Sequence, residues 1–326
     1  MWSSRLAAPA IAVVLLSATR ARADEPAPRG FLVERLDTSG AGGGWFVMDD
    51  LDMHGEPGGA VALTSGYARN PWRARGLDGS SAPLVTDQAF ATLSAAFTMD
   101  RFRVYADLTK PLVSTGGGGV VDGVALTGPR MDAGQTPDLF SDVRLGLDVR
   151  VIGRRLGPFR LGVGVQLFVP SGERADYVTD GNWRGMGRVL VAGDVGYLTW
   201  AGHVGAHVRD LDENTLSGPR GGELFFGGAA GLKLPIARHT ALVTGPEVFG
   251  ATAFRSLFAP NATALEGLLT ARLEGTGESG LQVRLKLGAG AGLDARFGAP
   301  EWRVVFGVEM FGHVERSAPK AAAPAD

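Results

Sequence analysis

The chain reads Val143-Arg144-Leu145-Gly146-Leu147-Asp148-Val149-Arg150-Val151. After a break rich in Gly, Arg and Pro it continues Phe159-Arg160-Leu161-Gly162-Val163-Gly164-Val165-Gln166-Leu167-Phe168-Val169. Every odd position in both runs is a large apolar residue, while the even positions carry Arg144, Asp148, Arg150, Arg160 and Gln166 among glycines. A period of two is the signature of extended strand with one apolar and one polar face. A soluble sandwich also alternates, burying its apolar face against a second sheet. These runs, however, have the length of roughly 9–11 residues that a tilted strand needs to cross a bilayer. Charges of both signs beside glycine suit a crowded interior wall better than an open surface.

Ten further segments extend the pattern to twelve strands. They are expected near 60–68, 88–98, 102–110, 141–151, 159–169, 187–198, 200–210, 223–234, 239–250, 264–274, 281–292 and 301–312. Their connections alternate in length. Short ones fall at Met99 to Arg101, Ile152 to Pro158, Thr199, Pro235 to Arg238 and Gly275 to Gly280; long ones fall at 69–87, 111–140, 170–186, 211–222, 251–263 and 293–300. An outer-membrane barrel has an even strand number, short periplasmic turns and longer external loops, whereas Greek-key crossings have no reason to alternate in this way. The expected fold is therefore all-β, a transmembrane antiparallel up-and-down barrel of about twelve strands with both termini on the periplasmic side. Strand twelve pairs with strand one, because an open sheet edge in hydrocarbon leaves backbone groups unsatisfied.

The faces of single strands agree. Trp200, Val204, Ala206 and Val208 point one way and His203, His207 and Arg209 the other. Leu281, Val283, Leu285 and Leu287 oppose Gln282, Arg284 and Lys286, and Trp302, Val304, Phe306, Val308 and Met310 oppose Arg303 and Glu309. Phe102, Tyr197, Trp200 and Trp302 near strand ends suit interfacial girdles.

Composition narrows the class. Of 326 residues 45% are apolar, yet no mature segment approaches the roughly 18 consecutive apolar residues of a spanning helix. Residues 1–23 read as a secretory signal: Arg5, an apolar block from Ala7 to Ala18, then Ala21-Arg22-Ala23 before Asp24. With no cysteine there is no disulfide framework and no lipid-anchoring thiol. A net charge of -2 excludes a strongly basic nucleic-acid binder. Residues 24–59, polar and glycine-rich with islands at Phe31 to Val33 and Trp45 to Met48, form a periplasmic, strand-adding or plug segment; the barrel covers 60–313; residues 314–326 form an Ala/Pro-rich disordered tail.

Several late motifs resemble the amino-terminal barrel of myxobacterial OmpA-family outer-membrane proteins. They are Gly245-Pro246-Glu247-Val248-Phe249-Gly250, the run Gly288 to Leu293, and Gly298-Ala299-Pro300-Glu301-Trp302-Arg303-Val304. Trp45-Phe46 with Asp49 and Leu51, Pro170-Ser171-Gly172 with Tyr177, Asp180 and Gly181, and Ala192-Gly193-Asp194 add to it in order. The resemblance implies an outer-membrane barrel. The family's peptidoglycan-binding domain beyond a Pro-rich linker does not carry over, since the sequence ends within such a linker.

Inward-facing charges are the candidate site. The lumen-lining set is Arg103, Asp107, Arg144, Asp148, Arg150, Arg160, Arg188, Asp194, His203, His207, Arg209, Glu266, Arg272, Arg284, Lys286, Arg303 and Glu309, with Glu247 and Glu274 beside them. Paired across the lumen they fill a narrow barrel; hydrated, they line a pore. His203 and His207, four apart on one strand face, are over about 13 Å apart and do not share a metal. Asp49, Asp50, Asp52 and His54 lack the spacing of a calcium loop and read as a solvated loop. No Ser-His-acid set gathers at one strand end, His54, His239 and His313 stand apart, and the Gly116 to Gly119 run precedes no helix, so neither an enzyme nor a phosphate cradle is expected. No cofactor is expected. The expected role is structural or permeability-related, with a passive channel for small solutes and a secreted soluble binding protein as alternatives. The expected partners are outer-membrane lipid and lipopolysaccharide, the insertion machinery and small polar solutes.

Overall fold

The computed structural model describes residues 30–53, 56–76, 81–121, 124–133, 140–210, 221–259, 262–277, 281–294 and 298–313. The expected signal at 1–23 and tail at 314–326 lie outside them. In chain order the strands are β1 (Gly58–Arg75), β2 (Ser81–Met99), β3 (Phe102–Thr115), β4 (Gly119–Val121), β5 (Val124–Leu126), β6 (Asp142–Ile152), β7 (Arg160–Pro170), β8 (Arg184–Val195), β9 (Leu198–Arg209), β10 (Glu223–Ala237), β11 (Thr240–Ala253), β12 (Thr263–Thr276), β13 (Gln282–Gly292) and β14 (Trp302–His313).

Twelve of these close into an antiparallel up-and-down barrel, and β4 with β5 makes a separate hairpin between β3 and β6. Closure is by β1 on β14, in register from Gly58 against His313 to Arg69 against Trp302. The central hairpin pairs Leu145 with Leu167 and Asp148 with Gly164. Its odd positions face outward, with Leu145 45% and Val165 57% exposed, while Arg144, Asp148, Arg150, Arg160 and Gln166 are buried on the inner face. The same outward apolar facing recurs right round the barrel, at Leu63, Leu93, Val204, Leu269, Leu287 and Phe306 among many others.

Two expectations about connections change. The stretch 69–87 is largely strand: β1 runs on to Arg75 and β2 starts at Ser81, so this hairpin projects beyond its neighbours. There Trp72, Ala74, Leu84 and Val85 form a second apolar core with Phe31, Val33, Val121 and Tyr177. The stretch 111–140 likewise continues β3 to Thr115 and then holds the small hairpin.

Of the segment expected over 24–59, residues 30–53 run inside the barrel. Leu32 N donates to Asp180 Oδ1 at 2.9 Å and Val33 N to the Tyr177 carbonyl at 3.2 Å, at the end with the long connections. Twenty residues later Asp52 accepts from Arg155 Nε at 2.7 Å, in the short turn between β6 and β7. This strap therefore descends the whole lumen before turning into β1. Gly58 opens β1 beside His313, which ends β14, so both ends of the barrel lie at the short-turn end, and residue 30 lies at the other.

A barrel of about eight strands is filled by its own side chains, and one of sixteen or more holds water. Twelve strands leave space for one extra chain. The strap fills it with Leu36, Trp45, Phe46, Val47, Met48, Leu51 and Met53, which form the main apolar core with Phe90, Leu190, Val243, Phe249, Leu268 and Val305 of the wall. Glycines on the wall admit this layer: a Cβ at Gly227 would strike the Met48 side chain, and one at Gly231 the Trp45 ring. Within the strap, Gly42 and Gly44 have φ of +87° and +92°, which the tight loop from Gly40 to Asp50 requires and residues with a Cβ resist.

Trp45 is fully buried. Trp45→Ala is expected to lower the stability of the refolded barrel by about 3–5 kcal/mol. Phe254→Ala, on an exposed side chain, should change it by no more than about 0.5 kcal/mol. Urea unfolding in detergent micelles measures both, and equal effects would mean that the strap does not form a core.

Candidate functional site

The lumen is the site, and the strap contributes as much of its chemistry as the wall. Beginning at the long-connection end, the Asp180 carboxylate caps Leu32 N and faces Arg209 Nη2 at 3.0 Å and Arg184 Nε at 3.7 Å. Burial works to raise its pKa, but Arg209 and Arg184 overcome this and hold Asp180 below the usual carboxylate value. Phe31 packs edge-on to Trp72, ring centroids 4.8 Å apart. Next, Arg35 of the strap grips Glu223 of β10 through two bonds of 2.8 and 2.9 Å. Glu34 does the converse, accepting 2.8 and 2.7 Å bonds from Arg303 of β14, which also donates to Glu266 at 2.5 Å. Fork-to-fork pairs of this kind fix orientation as well as charge.

Midway, Arg144 of β6 donates through Nε to Asp107 at 2.5 Å and through Nη2 to the strap carbonyl of Thr38. Asp148 of β6 accepts from Arg188 at 2.9 Å and from Arg103 at 2.6 Å. Arg103 also donates to strap Asp49. The Tyr105 hydroxyl accepts from Gln166 at 2.6 Å and Arg188 at 3.0 Å. Glu247 of β11, fully buried, accepts the strap's Phe46 and Val47 N–H groups at 3.0 and 2.9 Å and the Thr270 hydroxyl at 2.7 Å. One carboxylate thereby satisfies two backbone donors that no sheet ladder could reach.

At the short-turn end, Arg284 of β13 lies 3.0 Å from Glu309, 3.7 Å from Asp50 and 3.6 Å from Asp52. Lys286 donates to Glu309 at 3.2 Å and to the Trp45 carbonyl at 3.4 Å. Arg150 donates to the Leu51 carbonyl at 3.0 Å. Arg160 pairs with Asp194 at 2.7 Å, and Arg272 with Glu274 at 2.7 Å. His207 lies beside Phe168, centroids 5.6 Å apart, and His203 edge-on to Phe225 at 5.3 Å. Among the described residues no group of three or more His, Asp or Glu converges on a metal position.

All seventeen inward residues named from the sequence therefore sit on the inner side of the wall, Asp194 and His203 half-buried and the rest buried. They do not pair across an empty lumen. They pair with groups on the same strand or one or two strands away, and with the strap. The expectation of a solvated loop at Asp49, Asp50 and Asp52 is overturned, because Asp49 and Asp50 are buried against Arg103 and Arg284. Sequence reading missed Asp142, Arg184 and Glu223 on the wall and Glu34 and Arg35 on the strap. Arg184 was within reach: extending the alternation of Met186 and Arg188 two positions back finds it. Two cavities, of about 80 and about 40 Å³, flank the strap in the long-connection half, and Asp37 and Arg144 line both.

No protein-family model matches the chain, and no curated protein does. Among solved structures it is similar to an outer-membrane channel from Pseudomonas putida F1, at 12% identity over 79% of this chain and 95% of that one, with a TM-score of 0.48. It is also similar to the NanC porin, at 9% identity over 78% of this chain and 100% of that one, TM-score 0.44. A third is LpxR from Salmonella typhimurium, at 10% identity over 78% and 100%, TM-score 0.37.

The Asp180 clasp is acid-sensitive. A carboxylate whose folded pKa is depressed adds stability that is complete above its unfolded value, about 4, and lost as pH falls through the folded value. Asp180→Asn should cost about 1.5–3 kcal/mol at neutral pH and flatten the acid limb of the stability–pH curve. An unchanged acid limb in the variant would remove Asp180 from that role.

Proposed function

We propose that this chain is an integral outer-membrane barrel with a permeability role, closed at rest by its own amino-terminal strap. The observation that carries the reading is the pairing of two features: an apolar outer face running all round a closed sheet, and a lumen occupied from end to end by residues 30–53. A soluble protein exposing this much contiguous apolar surface would aggregate; against hydrocarbon the same surface is matched. In this setting the long connections face outward from the cell and the short turns face the periplasm. Lipid surrounds the apolar belt, lipopolysaccharide meets the outer rim, the envelope's insertion machinery assembles the barrel, and residues 1–23 export it. The resemblance to the barrel of myxobacterial OmpA-family proteins is in keeping with this reading. A wholly structural barrel would need no removable filler; the strap's attachment to β1 at one end only, with polar cavities beside it, favours a lumen that opens to small solutes.

The full mature chain, reconstituted in planar bilayers, should be electrically silent. Cutting at a specific protease site placed within 54–57, after reconstitution, should produce discrete conductance steps. Extraction of the protein by carbonate from native membranes would defeat the membrane reading, and silence after complete cleavage would defeat the strap as the closure.

A further inference from the structure

The strap is acidic where the wall is basic. Among the strand residues buried on the inner face there are eleven Arg and Lys against seven Asp and Glu. The strap, over 30–57, carries six acids and one base, Arg35. Its acids meet wall guanidiniums at successive depths: Glu34 on Arg303 near the long-connection end, Asp49 on Arg103 in the lower half, and Asp50 and Asp52 near Arg284 at the short-turn end. Between them Asp37 lines both cavities together with Arg144, and Arg184 and Arg188 lie one in each.

Resting on the strap-closed reading above, we infer that the solutes of this lumen are small anions bearing carboxylate or phosphate groups. The strap's carboxylates occupy the positions such solutes take when it withdraws. The physical reason is compensation of charge. A guanidinium taken out of water needs a carboxylate or another anion beside it, and leaving one partner bare is more costly than never having buried the pair. Withdrawing the strap removes Glu34 from Arg303, Asp49 from Arg103, Asp50 and Asp52 from Arg284 and a carbonyl from Arg150, and leaves the first three with acids of the wall alone, Glu266, Asp148 and Glu309. It also takes Arg35 from Glu223. The wall that remains carries more Arg and Lys than Asp and Glu along the pore axis, the balance that selects anions in pores. Arg303, already placed for a two-pronged carboxylate, suits a phosphate equally.

The test uses the full chain, folded with its strap and cut within 54–57 after reconstitution, under a potassium chloride gradient. The expected reversal potential favours chloride over potassium severalfold. A second, uncut protein carrying Glu34→Gln, Asp49→Asn, Asp50→Asn and Asp52→Asn should open spontaneously with the same preference. Arg284→Ser combined with Arg303→Ser in the cut protein should reduce the preference by at least half, and inorganic phosphate should lower chloride current through the parent but not through this variant. Conductance without selectivity, or selective for potassium, overturns the anion inference and leaves the strap-closed barrel standing. Inserted protein that stays silent both when cut and when neutralised overturns both.

Discussion

A sheet that faces hydrocarbon has no water to satisfy its edges, so it must close on itself, and the number of strands then fixes the width of what it encloses. Here the number is twelve. That single geometric fact creates a lumen too wide for wall side chains to meet and too narrow to be left as bulk water among buried guanidiniums. Everything inside follows from the need to fill it. The strap answers in two ways at once, with an apolar layer centred on Trp45, Phe46 and Met48 and with carboxylates spaced along its length.

The two answers act at different levels. The apolar layer gives depth of burial, and wall glycines such as Gly227 and Gly231 are the complementary sockets. The polar contacts give register. Glu247 holds the Phe46 and Val47 amides, Arg303 holds Glu34, and Arg103 holds Asp49, so a slip of the strap would break several buried pairs together. A buried ion pair is weak support for stability against an apolar substitute, but losing one partner of it is costly. The lumen therefore reads better as a device for a defined, reversible position than as an optimised core.

The two ends of the strap differ. At the short-turn end it is continuous with β1 and cannot leave. At the long-connection end it is clasped by Asp180, Tyr177 and Trp72, buried on connections and a hairpin that project beyond the neighbouring strands.

Local alternation along the chain is enough to specify the wall. Period-two alternation places side chains on two faces without reference to anything distant, and the turn chemistry of alternating short and long connections is local, so twelve strands, their facing and the inward charges were all legible. The destination of residues 30–57 was not. Their apolar islands have no period, their glycines and aspartates have the composition of a solvated loop, and their partners lie far off in sequence, Glu34 on Arg303 being 269 residues away. Only the closed tertiary structure brings those groups together, because the lumen in which the strap becomes a core does not exist until the last strand has met the first.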